Sequence, residues 1–113
     1  MTINELTDIQ QKFDALHKGT FDWDESISDD NLQILEFLMV ALMGEVGESA
    51  NIVKKIVRGD YKLREKKDAL ADEFADIFAY LLKMSYQLGI DIEDAYLNKM
   101  RENQERFQSY EIQ

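Results

Sequence analysis

Residues 38–53 read LMVALMGEVGESANIV. The run is apolar almost throughout, yet it carries Glu45 and Glu48 three residues apart. Leu35, Leu38, Leu42, Val46, Ser49, Val53 and Ile56 recur at helical spacing, so the stretch predicts a long helix with these positions as its inner stripe. The i, i+3 spacing puts both carboxylates on one face, in register with Leu38, Ala41 and Ile52 at the edge of that stripe. A solvated face would offset its charges from the apolar positions. Gly44 and Gly47 bracket the pair, and a glycine inside a helix costs about 0.5–1 kcal/mol against alanine. Small residues there let another helix, or a phosphate, come close; tight packing or a local kink explains them equally.

Outward from this stretch the chain keeps the same period. The second helix should start near Ser28 to Asn31 and run to Arg58, with Gly59 as its C-terminal cap. A third is predicted from about Leu63 to Leu88, with Leu70, Phe74, Ile77, Leu81, Met84 and Leu88 as its stripe and Gly89 as its cap. Residues 70–82, LADEFADIFAYLL, repeat the anomaly with Glu73 and Asp76, again at i, i+3. Towards the N-terminus, Thr2 and Glu5 form a capping-box pattern. Ile3, Leu6, Ile9, Phe13 and Leu16 share one face of a first helix that ends around Lys18-Gly19. A polar, aromatic loop, Thr20 to Ser26, follows. The fourth helix is capped by Asp91 and runs from Ile92 to about Gln108. No segment alternates like a strand and no repeat is present. The expected fold is all-α, one small four-helix bundle-type domain over residues 1–113.

Composition narrows the chemistry. The chain has 113 residues, 23 acids, 13 Lys and Arg, a formal charge of −10, one histidine and no cysteine. Thiol nucleophiles, disulfides and thiolate metal sites are excluded, and so is a multi-histidine zinc site within one chain. The acidic balance argues against binding a nucleic-acid polymer. No apolar run reaches the roughly 18 residues that span a bilayer, and MTINELTDIQ lacks the features of a signal peptide. A cytoplasmic protein without membrane contact is expected. A domain this small buries only about two-thirds of its unfolded surface, which favours subunit association.

Two carboxylate pairs on two helices repel if they meet unpaired, and burying either charge alone costs several kcal/mol. A divalent cation resolves this most simply, because hard oxygen ligands suit Mg²⁺, Mn²⁺ or Ca²⁺. The plainer alternative is two ordinary acidic faces paired with Lys54, Lys55 or Arg58.

At these residues the chain resembles the MazG-like nucleoside triphosphate pyrophosphohydrolases of the all-α NTP pyrophosphatase superfamily. That superfamily is marked by E-x-x-E and, on the next long helix, E-x-x-D. Here they are Glu45-Val46-Gly47-Glu48 and Glu73-Phe74-Ala75-Asp76. Gly44 to Glu48 matches the family's G-E-x-G-E segment. Leu70 to Ile77 with Tyr80-Leu81-Leu82 matches its second acidic helix. Leu88 to Ile92 with Lys99-Met100-Arg101-Glu102-Asn103 matches its last turn and helix. The likeness covers about residues 30 to 107.

The resemblance implies hydrolysis of a nucleoside triphosphate between the α- and β-phosphates, giving a monophosphate and pyrophosphate. It implies Mg²⁺, with Mn²⁺ as an alternative, on Glu45, Glu48, Glu73 and Asp76, one of which also handles the attacking water. Tyr80, Lys99, Asn103 and Arg106 become candidates for the substrate phosphates. Phe21, Trp23 and His17 become candidates for the base, although a loop tryptophan also serves as a lid over its own core. The expected substrate is a deoxynucleoside triphosphate, dCTP ahead of dUTP, in nucleotide-pool house-cleaning. Members of this size associate as homodimers or dimers of dimers, with sites formed between facing subunits. The competing readings are a non-catalytic interaction module that kept the fold, and a carboxylate-bridged dimetal bundle, which the missing E-x-x-H pairs disfavour.

Overall fold

Short turns and glycine caps set the architecture. The structure, a computed structural model, describes residues 1–17, 19, 21 and 23–112. Among the described residues are four α-helices and no strand. They are α1 (Ile3–Ala15), α2 (Leu32–Arg58), α3 (Leu63–Gln87) and α4 (Ile92–Arg106), with single 3₁₀ turns at Asp29–Asn31 and Gln108–Tyr110. The all-α expectation holds. No helix among the described residues is long and apolar enough to cross a membrane.

The α2–α3 hairpin is the frame. Gly59 ends α2 in the left-handed region at φ 96°, where a side chain would be strained. The Asp60 amide then reaches back to the Lys55 carbonyl at 2.9 Å. Four residues later the chain turns into α3 and returns antiparallel along α2. Ile34, Leu38 and Leu42 near the start of α2 meet Met84 near the end of α3 in the core. Phe21, Trp23, Ile27, Leu35, Ile77 and Tyr80 pack around them. The aromatic loop is stitched to the end of α3, since the Ile27 amide donates to the Gln87 carbonyl at 2.8 Å and the Gln87 amide donates to the Glu25 carbonyl at 3.0 Å.

α1 departs from expectation twice. It stops at Ala15, not at Lys18-Gly19, because the Leu16 and His17 amides and the His17 ring already occupy the last carbonyls. Gly19 is therefore no cap; Lys18, like Thr20 and Asp22 of the loop, lies outside the described residues. The inner face is also displaced. Ile9, Phe13 and Leu16 are exposed, and the residue α1 buries is Asp14.

α1 lies on α3, and α4 packs on α1, where the Ile3 amide donates to Glu93. The four helices do not close round one core. The radius of gyration is 17.4 Å, against about 13 Å for a compact chain of this length. The accessible surface is 8598 Å², where a monomer of this mass typically shows roughly 6,400 Å². Phe37, Val40, Met43 and Val57 of α2, and Phe74 and Phe78 of α3, stand exposed. Val46, Val53, Phe74, Leu81 and Leu88, expected inside, are open too. Gly44 and Gly47 meet no neighbour within 4 Å, so nothing in a single chain uses their smallness.

Candidate active site

Because α2 and α3 run antiparallel, the two acidic motifs meet across their seam. One carboxylate oxygen each from Glu45, Glu73 and Asp76 lies within 4.8 Å of the others. Glu45 and Glu73 are half-buried and Asp76 is exposed. Glu73 Oε2 is fully covered and has no hydrogen-bond partner. The Glu73 carboxyl titrates at about 7 instead of 4.5, first because the Glu45 carboxyl faces it within hydrogen-bond reach, then through burial, then through Glu48. Glu48 thus faces Glu73 from the exposed rim, outside the tight triad. Arg58 pairs with Asp60 rather than with these acids. Among the described residues no ion pair joins Lys54 or Lys55 to the four acids, so the plainer alternative of ordinary paired faces is not what the fold builds.

A cluster of carboxylates that face one another, with an orphaned buried oxygen, matches the donor set of a hard divalent cation. Two of the three, Glu45 and Asp76, line a cleft of about 380 Å³ between α1 and the hairpin. Ile9, Gln10 and Phe13 line it from α1, Glu45 from α2, and Asp76, Ala79, Tyr80 and Lys83 from α3. Tyr80 is half-buried, and its hydroxyl is held above its ordinary range by burial, then by Glu45 and Asp76. It therefore remains a donor at neutral pH.

The other end of the cleft is built on Asp14, which is 1 % exposed. Its carboxylate accepts from the Tyr86 hydroxyl at 2.5 Å and from the Gln10 amide at 3.0 Å, and pairs with Lys83 Nζ at 3.4 Å. The Lys83 ammonium also lies 4.4 Å from the centre of the Trp23 ring and 5.2 Å from that of Tyr80, an attraction between a cation and ring faces. Sequence reading missed Gln10, Asp14 and Lys83. A signal was there: Glu73, Asp76, Tyr80 and Lys83 follow one another at steps of three, four and three, which is one face of α3.

The remaining candidates divide. Trp23 and Phe21 meet at a tilt with ring centres 4.5 Å apart, lie against Phe37 and pack on the core, and Trp23 lies beside the cleft residue Lys83. His17 stacks on Phe13 and bonds its carbonyl, outside the cleft lining. Lys99, Asn103 and Arg106 sit on α4, away from the acids. Lys99 pairs with Glu102, and Arg106 lies over Phe107.

The model of the MazG-like family matches residues 28–111. The chain is 32% identical over 82 residues to the Gene 37 protein of Mycobacterium phage L5, covering 68% of this chain and 72% of that one. It is also 32% identical over 78 residues to human dCTP pyrophosphatase 1, covering 65% of this chain and 45% of the human protein. The match thus spans less than half the length of the human relative. No solved structure matches the chain.

Proposed function

We infer that this chain, which belongs to the MazG-like family, is a divalent-metal-dependent nucleoside triphosphate pyrophosphohydrolase. The observation that carries the reading is the convergence of Glu45, Glu73 and Asp76 within 4.8 Å at the mouth of a cleft. Glu45, Glu73 and Asp76 would hold the cation, with Glu48 joining from the rim. When bound, Mg²⁺ neutralises phosphate oxygens and lowers the pKa of the attacking water. Tyr80 donates its hydroxyl to the triphosphate. One of the four carboxylates would also orient the attacking water. The products are a nucleoside monophosphate and pyrophosphate. The name of the human relative supports a deoxynucleotide, dCTP first, and with it a role in nucleotide-pool house-cleaning.

Self-association belongs to the same reading. The surface exceeds that of a closed monomer by roughly 2,000 Å², the scale that permanent subunit interfaces cover. The exposed apolar residues of α2 and α3 supply the area, and Gly44 and Gly47 permit close helix approach. A facing subunit would bring a copy of Lys99, Asn103 and Arg106 to the phosphates, which a single chain does not.

The test is pyrophosphate release by purified protein with Mg²⁺ across the standard dNTPs and NTPs and dUTP. Monophosphate plus pyrophosphate is the expected pair of products. Release of single phosphate means that another bond is cut and overturns the assignment; no turnover by folded, metal-loaded protein leaves the non-catalytic module.

A further inference from the structure

We propose that Lys83, fixed by the buried Asp14, reads the base of the substrate, and that with Gln10 it selects bases carrying a ring carbonyl. The proposal rests on the nucleotide reading of the cleft given above.

The cleft has two chemically different ends. At one, Glu45 and Asp76 suit cations and the phosphates that cations bring. The other lies seven residues further along α3, two turns or about 10.5 Å by helical rise. That is comparable to the reach from a 5′-phosphate to the outer edge of its base. At this far end the Lys83 charge is met by Asp14 at 3.4 Å, and Asp24 acts on the neighbouring Tyr86. Its walls are apolar or aromatic, from Ile9, Phe13 and Tyr80. A pocket whose cation is already paired with a carboxylate, and whose walls are apolar, suits a neutral, polar ring better than a polyanionic tail.

The polar groups are held in fixed roles. A carboxylate only accepts, so the Gln10 group 3.0 Å from Asp14 is its NH₂, and its carbonyl oxygen is left for the cleft. Lys83 gives one proton to Asp14, and its side chain is 13% exposed. Among the described residues, the ring faces of Trp23 and Tyr80 and the cleft lie around its remaining protons. The site therefore offers one charged donor beside one acceptor. Cytosine, uracil, thymine and guanine each present a carbonyl with an N–H or amino donor on the same ring system. Adenine sets its amino donor beside a ring nitrogen instead, a weaker acceptor than a carbonyl oxygen for the lysine charge. Asp14 is a positioning residue, since it holds Lys83 and Gln10 rather than touching the ligand.

Trp23 is the single tryptophan of the chain, and its ring lies 4.4 Å from Lys83 Nζ. Its emission therefore reports occupancy of this end without turnover. With Mg²⁺ present, wild-type protein and Lys83→Met are titrated with dCMP and dAMP by this emission, and with inorganic pyrophosphate by calorimetry. Wild type should bind dCMP at least about tenfold more tightly than dAMP, the size of one hydrogen bond to a charged group. Lys83→Met should remove that preference by weakening dCMP, with pyrophosphate binding unchanged. Circular dichroism checks the fold. Should the single variant unfold, Asp14→Asn with Lys83→Met removes both charges and carries the same expectation. Unaltered dCMP preference in the variant overturns the proposal, as does weakened pyrophosphate binding, which would place Lys83 on the phosphates. Both outcomes leave the nucleotide reading standing. Wild type that binds none of the three probes overturns that reading itself, and this proposal with it.

Discussion

Glu73 faces Glu45 across the α2–α3 seam closely enough for the two carboxyls to share a proton, and Glu73 accordingly titrates at about 7. In the unfolded chain its ordinary value is 4.5. Between these values the folded, metal-free protein holds more protons than the unfolded one, so this group's stabilising contribution is complete below about 4.5 and is lost as pH rises through 7. Metal-free wild type should lose thermal stability relative to Glu73→Gln between pH 5 and pH 8. Mg²⁺ should restore the wild type at pH 8. Its half-saturating concentration should fall as pH rises through 7, because binding must displace that proton. Melting curves of both proteins with and without Mg²⁺ check all three; parallel pH profiles would show that the two acids do not share a proton.

Converting a carboxylate of the proposed metal site to its amide keeps its size while removing charge. Glu45→Gln and Asp76→Asn should each lower kcat by on the order of 10²–10⁴, the range for a directly engaged catalytic group, with helical content unchanged. Steady-state pyrophosphate release beside circular dichroism makes the measurement. Wild-type turnover in either variant removes that residue from the site.

Asp14 predicts a stability effect that its place in the chain does not announce. Asp14→Ala leaves the Tyr86 hydroxyl, the Gln10 amide and Lys83 without their shared acceptor. The expected loss is about 3 kcal/mol, the scale for breaking a buried charge pair from one side. Asp14→Asn, which still accepts from Tyr86, should cost less. Urea unfolding followed by circular dichroism gives both values, and equal stability of all three proteins would refute the account.

Val40 and Met43 project from the exposed face of α2, one turn before Gly44 and Gly47. Val40→Asp with Met43→Asp should convert an assembled protein into a less stable monomer, seen by light scattering and by a melting temperature that no longer rises with concentration. A wild type that is monomeric at high concentration would show that this face has another use.

The acid cluster is legible in the amino-acid order alone because its spacing conflicts with its setting. Glu45 and Glu48, and Glu73 and Asp76, stand at the edge of apolar stripes, and a local i, i+3 pattern is enough to notice that. The helix caps at Gly59 and Gly89 are legible for a similar reason, since each ends a periodic run in a conformation that glycine adopts easily. The inner face of α1 is not. Burial there depends on a hydroxyl at Tyr86, 72 positions away in the chain, and on Lys83 beside it. An isolated aspartate next to Phe13 gives no hint that it, and not the phenylalanine, points inward. The inward stripes of α2 and α3 mislead for the opposite reason, because periodicity identifies an apolar face without saying whether its cover is the same chain.

The uneven burial along the hairpin gives it two mechanical halves. Ile34, Leu38, Leu42, Leu82 and Met84 clamp the end where the chain enters α2 and leaves α3. Past Ser49, towards the Gly59 turn, Leu70 is the buried apolar residue among those described. Amide hydrogens around Lys55 to Lys67 should consequently exchange through cheap local opening, while those near Leu38 and Met84 wait for global unfolding. Glu45 and Glu73 sit where these halves join. A cation gripping both would act as a rivet at the boundary, and the exchange rates of the distal half would report, without any nucleotide present, how far that rivet's hold extends.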